Sequence, residues 1–268
     1  HYRNKSQYPV GADGAIGFYR ARSHQVVPVK RCLIQPEAAD KTAAAVGEWM
    51  RRYKVPAYDE ATGKGLVRHV YVRVNRKGES LCCVVINGRQ APREPELAAY
   101  VCATVPHTAG VLVNSNTKRG NVILGEKYRT LWGRDYLMDT LCGLEFKLSV
   151  PSFYQVNRDQ AEALYGKALD YAGLTGRETV LDLYCGIGTI TLCLAKRAGR
   201  VIGAEIVPAA IRDAKENAAR NHIENAEFFC GDAAETAARL EAEGLRPDVI
   251  TVDPPRKGLA PEDRKSVV

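Results

Sequence analysis

No apolar stretch in this 268-residue sequence approaches the roughly 20 residues that a membrane-crossing helix needs. No basic-then-apolar segment opens the chain, so nothing in it reads as a secretion signal. Its eight cysteines include no C-x-x-C pair, the spacing used by many metal and redox sites. A chain of this length can build a core without disulfides, so the thiols are expected to be reduced and the protein cytoplasmic. Internal repeats and low-complexity tracts are also missing, which leaves no case for a solenoid or a disordered tail. What is present is an ordinary globular composition, 46% hydrophobic and 26% charged.

The charge is unevenly placed. Residues 1–150 hold 23 Lys and Arg against 13 Asp and Glu, and residues 151–268 hold 15 against 18. A basic half beside a mildly acidic half points to a first half that meets a polyanion and a second that does chemistry. In the first half Arg3, Lys5, Arg20, Arg22, Lys30 and Arg31 are interleaved with Tyr2, Tyr8, Phe18 and Tyr19. Cations for phosphate and aromatics for unstacked bases suit single-stranded RNA.

The first half reads as β-rich. "VRHVYVRVN" and "LCCVVING" flank the turn-prone "RKGE", which predicts a hairpin. "GVLVNSN" and "NVILGEKY" around "TKRG" predict a second one. A helix is expected over Lys41 to Lys54, where Ala44, Val46, Trp49, Met50 and Tyr53 recur at helical spacing. The second half changes period. "NRDQAEALYGKALDYAGL" puts Ala161, Leu164, Tyr165, Ala168, Leu169 and Ala172 on one helical face, with Gly173 at its end. Short apolar strands then alternate with helices: "TVLDLY", "RVIGAE", "AEFFCGD" and "DVITVD". That alternation predicts an α/β fold with a parallel, Rossmann-like sheet covered on both faces. The expected division is a β-rich domain over residues 1–149 and a cofactor-binding domain over 150–268.

In such sheets ligands bind beyond the carboxyl ends of the strands. The first strand runs into Asp182 and then Tyr184-Cys185-Gly186-Ile187-Gly188, where glycine lets backbone approach a ligand. Glu205 ends the second strand, 19 residues after Gly186, suitably for ribose hydroxyls. Asp232 ends the third, suitably for an adenine amino group, and Asp253-Pro254-Pro255-Arg256 ends the fourth. A dinucleotide fingerprint needs a third glycine, and Thr191 stands there instead. The extra acids at the third and fourth strands favour S-adenosylmethionine, which has no pyrophosphate. D-P-P followed by an aromatic residue marks enzymes that methylate exocyclic amino groups. Here Arg256 and Lys257 follow, which suit phosphate, so amino-methylation is disfavoured.

"SVPSFYQVN", "VLDLYCGIGTITL", "VIGAEIVPAAIRDAKENAARN" and "DVITVDPPRKGL" together resemble the RNA uracil-5-methyltransferases, the 23S ribosomal RNA type above all. The likeness covers nearly the whole chain. It implies that a cysteine thiolate adds to C6 of an extruded uracil, that C5 then takes the methyl group from the donor, and that a base removes the C5 proton, which expels the cysteine. It also implies roles. Gln155 would contact the methionine part of the donor and read the uracil edge. Tyr184, Gly186 and Thr189 would hold the donor at the glycine turn. Glu205 would hold ribose, Asp232 adenine, and Asp253 the junction of donor and target base. Asp182 would orient the turn or the donor's amino group. The family's nucleophilic cysteine and its base would lie beyond Val268, so this chain alone is expected to be a fragment without turnover. Cys185 sits in the glycine turn, where the family has a cysteine without that role, and Cys193 and Cys230 are read as small buried hydrophobes. Cys32 matches the family's fourth iron–sulfur ligand. The other three would precede His1, so a [4Fe–4S] cluster is expected only in a longer protein. The implied partner is RNA, with no DNA and no membrane, and the implied state is a monomer. A tRNA-directed methyltransferase and a non-catalytic RNA-binding module are the alternatives.

Overall fold

The computed structural model describes residues 1–254, 258 and 259. The expectations for Arg256 and Lys257 therefore lie outside the described residues. The chain forms two compact units. The first holds residues 1–139, 148–151 and 156–158, and the second holds 140–147, 152–155 and the chain from Asp159 onward. The expected boundary near residue 150 falls inside this interleaved stretch.

The first unit begins with β1 (Lys5–Pro9), β2 (Gly17–Tyr19) and β3 (Val26–Pro28), followed by α1 (Glu37–Arg52). β4 (Val67–Val74) and β5 (Ser80–Ile86) come next, then α2 (Glu94–Thr104), β6 (Thr108–Ser115) and β7 (Lys127–Gly133). Five strands make one sheet in the order β1-β4-β5-β6-β7. All its pairs are antiparallel except β5–β6, whose parallel register requires the crossover that α2 supplies. β2 and β3 pair with each other as a separate antiparallel ribbon. Burial of β4 and β5 is continuous because both faces are covered. Val70, Val72, Val84 and Ile86 pack in a core with Val46, Trp49 and Leu97 from the two helices. Tyr71, Leu81 and Cys83 pack on the other face with Leu112, Leu137 and Val150.

The first expected hairpin is β4–β5, turned at Gly78 with φ +80. The second is displaced: β6 pairs with β7, and residues 122–124 are loop. Asparagine side chains explain this. The Asn116 amide donates to the carbonyls of Val122 and Ile123, and the Asn114 amide to those of Gly125 and Lys127. Backbone acceptors that a ladder would use are taken by side chains. The expected helix at Lys41 begins earlier, at Glu37 behind Pro36, with acidic Glu37 and Asp40 in its first turn. Ala44, placed on its apolar face, is exposed. Tyr8 and Phe18, expected to face RNA, are interior: their rings lie 5.2 Å apart and Tyr8 is fully buried. Tyr2 and Tyr19 are exposed as expected.

A hairpin of β8 (Tyr136–Leu141) and β9 (Leu144–Ser149) leads to α3 (Arg158–Ala172). Leu164 of that helix, expected inside, is exposed, whereas Ala161 and Tyr165 are buried. Then follow β10 (Thr179–Leu183), α4 (Thr189–Ala195), β11 (Arg200–Glu205), α5 (Pro208–Arg220), β12 (Ala226–Cys230), α6 (Ala233–Ala242) and β13 (Val249–Val252). The four strands are parallel in the order β12-β11-β10-β13. One face packs Leu181, Leu183 and Ile202 against Ala237 and Leu240 of α6. The other packs Val180 and Val201 against Leu194 and Ala195 of α4. This is the expected sheet covered on both sides. Its order reverses at β10, between β11 and β13, and that opens a crevice at the carboxyl ends.

Among the described residues no helix is long and apolar enough to cross a membrane.

Candidate active site

A cavity of about 480 Å³ lies at that crevice. Asp182, Tyr184, Gly186 and Thr189 line it from the end of β10 and the turn into α4. Glu205 enters from β11, Asp232 from the end of β12, and Asp253 from the end of β13. Four strand ends thus bring seven of the sequence-identified residues to one space. Gln155 stands at its margin, with its amide donating to Asp253 Oδ2 at 3.4 Å.

Local backbone geometry explains the turn. Tyr184, Gly186 and Gly188 all have positive φ, and Gly188 at +83 caps the start of α4. A Cβ on Gly188 would meet the Phe228 ring at 3.2 Å and Ala214 Cβ at 3.3 Å. At Gly186 nothing lies within 4 Å of such a Cβ, so there the backbone faces open space. Gly203 of β11 is tighter still: its Cβ would lie 2.9 Å from Phe228 and 3.0 Å from Cys185 Sγ. Gly203→Ala should therefore destabilise the second unit by about 1–3 kcal/mol, the usual cost of overfilling a packed site. Thermal unfolding of the variant checks this, and an unchanged midpoint would contradict the packing described.

The acids have distinct surroundings. Glu205 accepts from the backbone N–H of Gly186 at 3.2 Å and of Val207 at 2.9 Å, so one carboxylate ties β11 to the glycine turn. Asp232 caps α6: its Oδ1 accepts from the N–H of Ala234 and of Glu235. Asp253 is exposed at the mouth. Asp182 is 1% exposed. Thr191 donates to its Oδ2 and Thr251 to its Oδ1, which staples β10 to α4 and to β13. Burial pushes its carboxyl up to about 7, against the pull of the two threonine hydroxyls and with help from the Asp253 charge.

Sequence reasoning missed several wall residues. Phe153, Tyr165 and Ile206 line the cavity. Phe153 and Ile206 are exposed apolar side chains, and the Tyr165 hydroxyl lies 3.1 Å from Thr189 Oγ1. Phe153 stands in the same "PSFYQ" stretch as Gln155, so a signal for it was present. Cys185 also lines the cavity. Burial, with Asp182 and Glu205 nearby, drives its thiol well above the ordinary value, so it stays protonated. Cys193 is driven up by the neighbouring Cys142 thiol and by burial. Cys230, expected inside, is exposed at the end of the edge strand β12. Cys32 is partly buried, and its N–H donates to Asp40 at 2.9 Å. Among the described residues no three His, Cys, Asp or Glu side chains are grouped to hold a metal ion.

Residues 174–255 match the model of a methyltransferase domain. An uncharacterized RNA methyltransferase of Halalkalibacterium halodurans is 45% identical over 96% of this chain and 57% of its own length. One of Caldanaerobacter subterraneus is 43% identical over 100% of this chain and 60% of its own length. The chain thus spans less than two thirds of these curated relatives. A solved structure, the Pyrococcus abyssi tRNA (uracil-54, C5)-methyltransferase in complex with S-adenosyl-L-homocysteine, superimposes with a TM-score of 0.81 at 24% identity. That match covers 99% of this chain and 62% of the other. The mixed α/β architecture with its parallel sheet is the fold of S-adenosylmethionine-dependent methyltransferases.

Proposed function

We propose that this chain serves an enzyme that methylates C5 of uracil in RNA, 23S ribosomal RNA foremost, with S-adenosylmethionine as donor. The observation that carries the reading is the convergence of Glu205, Asp232 and Asp253 with an open glycine turn in one cavity. These groups suit the donor's parts. Their carboxylates are acceptors suited to ribose hydroxyls, an adenine amino group and an ammonium, and Phe153, Ile187 and Ile206 add apolar wall. When bound, the donor supplies a methyl group on a sulfonium centre.

The chain's own residues bind and orient. Glu205 takes the ribose hydroxyls while its backbone bonds fix its carboxylate. Asp232 takes the adenine side, held in place by its capping role. Tyr184, Gly186 and Thr189 shape the turn around the methionine part. Gln155 and Asp253, bonded to each other, stand at the donor–base junction, where the amide reads the uracil edge. Cys185 is held protonated, so the thiolate that adds to C6 is supplied by another residue. Among the described residues Cys32 is grouped with no other candidate ligands, and no step here is routed through a cluster. The reading carries a cytoplasmic, monomeric enzyme with it.

Glu205→Ala should weaken adenosylhomocysteine binding by about 1–3 kcal/mol, the scale of losing hydrogen bonds to a charged acceptor. Titration calorimetry measures this, and unchanged affinity would remove the ribose assignment. For the reaction, a longer protein carrying this chain should release tritium from RNA labelled at uracil C5. Methyl transfer without tritium release would place the methyl group elsewhere on the nucleotide. Faster transfer to tRNA than to 23S transcripts would name the alternative substrate.

A further inference from the structure

We propose that a second cavity, wholly within the first unit, is a subsite for one unstacked base of an RNA strand. The cavity measures about 190 Å³ and is lined by Tyr19, His24, Tyr58, Glu60, Arg68 and His69 among others. Sites for drug-sized ligands run to roughly 300–1,000 Å³, so this one has room for a single planar group.

Arg68 and His69 are consecutive in β4, and consecutive strand residues normally point to opposite faces. Both line this cavity because the β4–β5 register shifts between Val67 and His69, a bulge that re-aims a side chain. Both are almost fully buried, 4% and 7% exposed. Yet among the described residues Arg68 Nε and His69 Nδ1 have no hydrogen-bond partner. Buried nitrogens without partners are rare in native interiors and call for a ligand or a water. Arg68 itself is fixed: its Nη1 donates to the carbonyls of Asn116 and Lys118, and its guanidinium lies 4.6 Å from the centre of the Tyr58 ring. Burial and the adjacent Arg68 charge hold His69 down to about 4. At neutral pH it therefore offers one donor and one acceptor nitrogen.

Another part of the lining is aromatic. Tyr19 and His24 have ring centres 5.5 Å apart, and both are tied to Glu60. The Tyr19 hydroxyl donates to Oε1 at 3.4 Å, and His24 Nδ1 lies within hydrogen-bond distance of Oε2. Between those two rings in the chain stand Arg20 and Arg22, both exposed. Ring faces, a neutral donor–acceptor pair, a carboxylate for an amino group and outer cations match a base with its phosphate outside. Free phosphate alone would meet Asp59 and Glu60 in the lining, which disfavours it.

This inference rests on the reading that the substrate is RNA. The test is fluorescence anisotropy with a labelled single-stranded RNA of mixed sequence and the intact chain. Tyr19→Ala should weaken binding at least about fivefold, the low end for losing one base stack, and Tyr19→Phe should restore it. The slope of log affinity against log salt should not move in Tyr19→Ala. In Arg20→Ala it should fall by about 0.7 if one phosphate contact is lost. Adenosylhomocysteine affinity should stay at the wild-type value in all three variants. RNA binding by Tyr19→Ala equal to wild type, or a Phe variant as weak as the Ala one, would overturn the subsite and leave the RNA reading intact. Failure of the wild-type chain to bind RNA at all would remove both.

Discussion

Relative to Asp182→Asn, the wild-type chain should lose roughly 3–4 kcal/mol of stability between about pH 4 and about pH 8. Asp182 titrates near 3.8 when unfolded and near 7 in the folded chain. Between those values the folded state holds a proton that the unfolded state has released. Raising the pH through that window therefore favours unfolding, and above about 8 the loss is complete. The asparagine variant has no carboxyl to titrate, and Thr191 and Thr251 can turn to accept from its amide. Other ionisable groups slope alike in both proteins, so the difference isolates this one. Urea titrations followed by circular dichroism across that range measure it. Parallel curves for the two proteins would mean that the carboxyl is already ionised in the fold.

Trp49→Ala should cost the first unit about 3–5 kcal/mol, the range for deleting a large buried aromatic side chain. The indole is fully buried where α1 packs on the sheet, and its Nε1 donates to the Arg93 carbonyl at 3.0 Å. That carbonyl belongs to the residue capping α2, so one side chain joins both helices of the unit. Truncation leaves a cavity and an unmatched carbonyl together. Trp49→Phe keeps most of the apolar contact and loses the hydrogen bond, so it should cost only about 1–2 kcal/mol. A denaturant series on the two variants separates these contributions. A loss below about 1 kcal/mol in the alanine variant would show that the site collapses around the gap.

The second half was legible because its signals agree with one another. From Thr179 to Ala242 each apolar strand runs into an acid or a glycine turn and then into a helix, and those elements, with β13 after them, lie where the pattern put them. The residues at the strand tips meet because parallel strands share one carboxyl edge, which the alternation alone implies. The first half was less legible. β1, β2 and β3 are short and mixed, and α2 begins inside "APREP", with Pro95 in its first turn. Tyr8 and Phe18 alternate with cations, and the sequence does not say which face of a strand is covered. Asn114 and Asn116 displaced β7 by side-chain bonding that no periodicity records. The second cavity was invisible for a similar reason. A bulge changes the direction of Arg68 and His69 without changing their spacing.

The strand order has a consequence for synthesis on the ribosome. β13 emerges after β11 and β12, yet it docks beside β10, the first of the four. Until Val249–Val252 arrives, the nascent sheet offers β10 as a bare margin of unpaired N–H and C=O groups, open to a neighbouring chain. Asp253 arrives with that strand, so the margin of β10 is covered in the same step that brings this acid to the crevice.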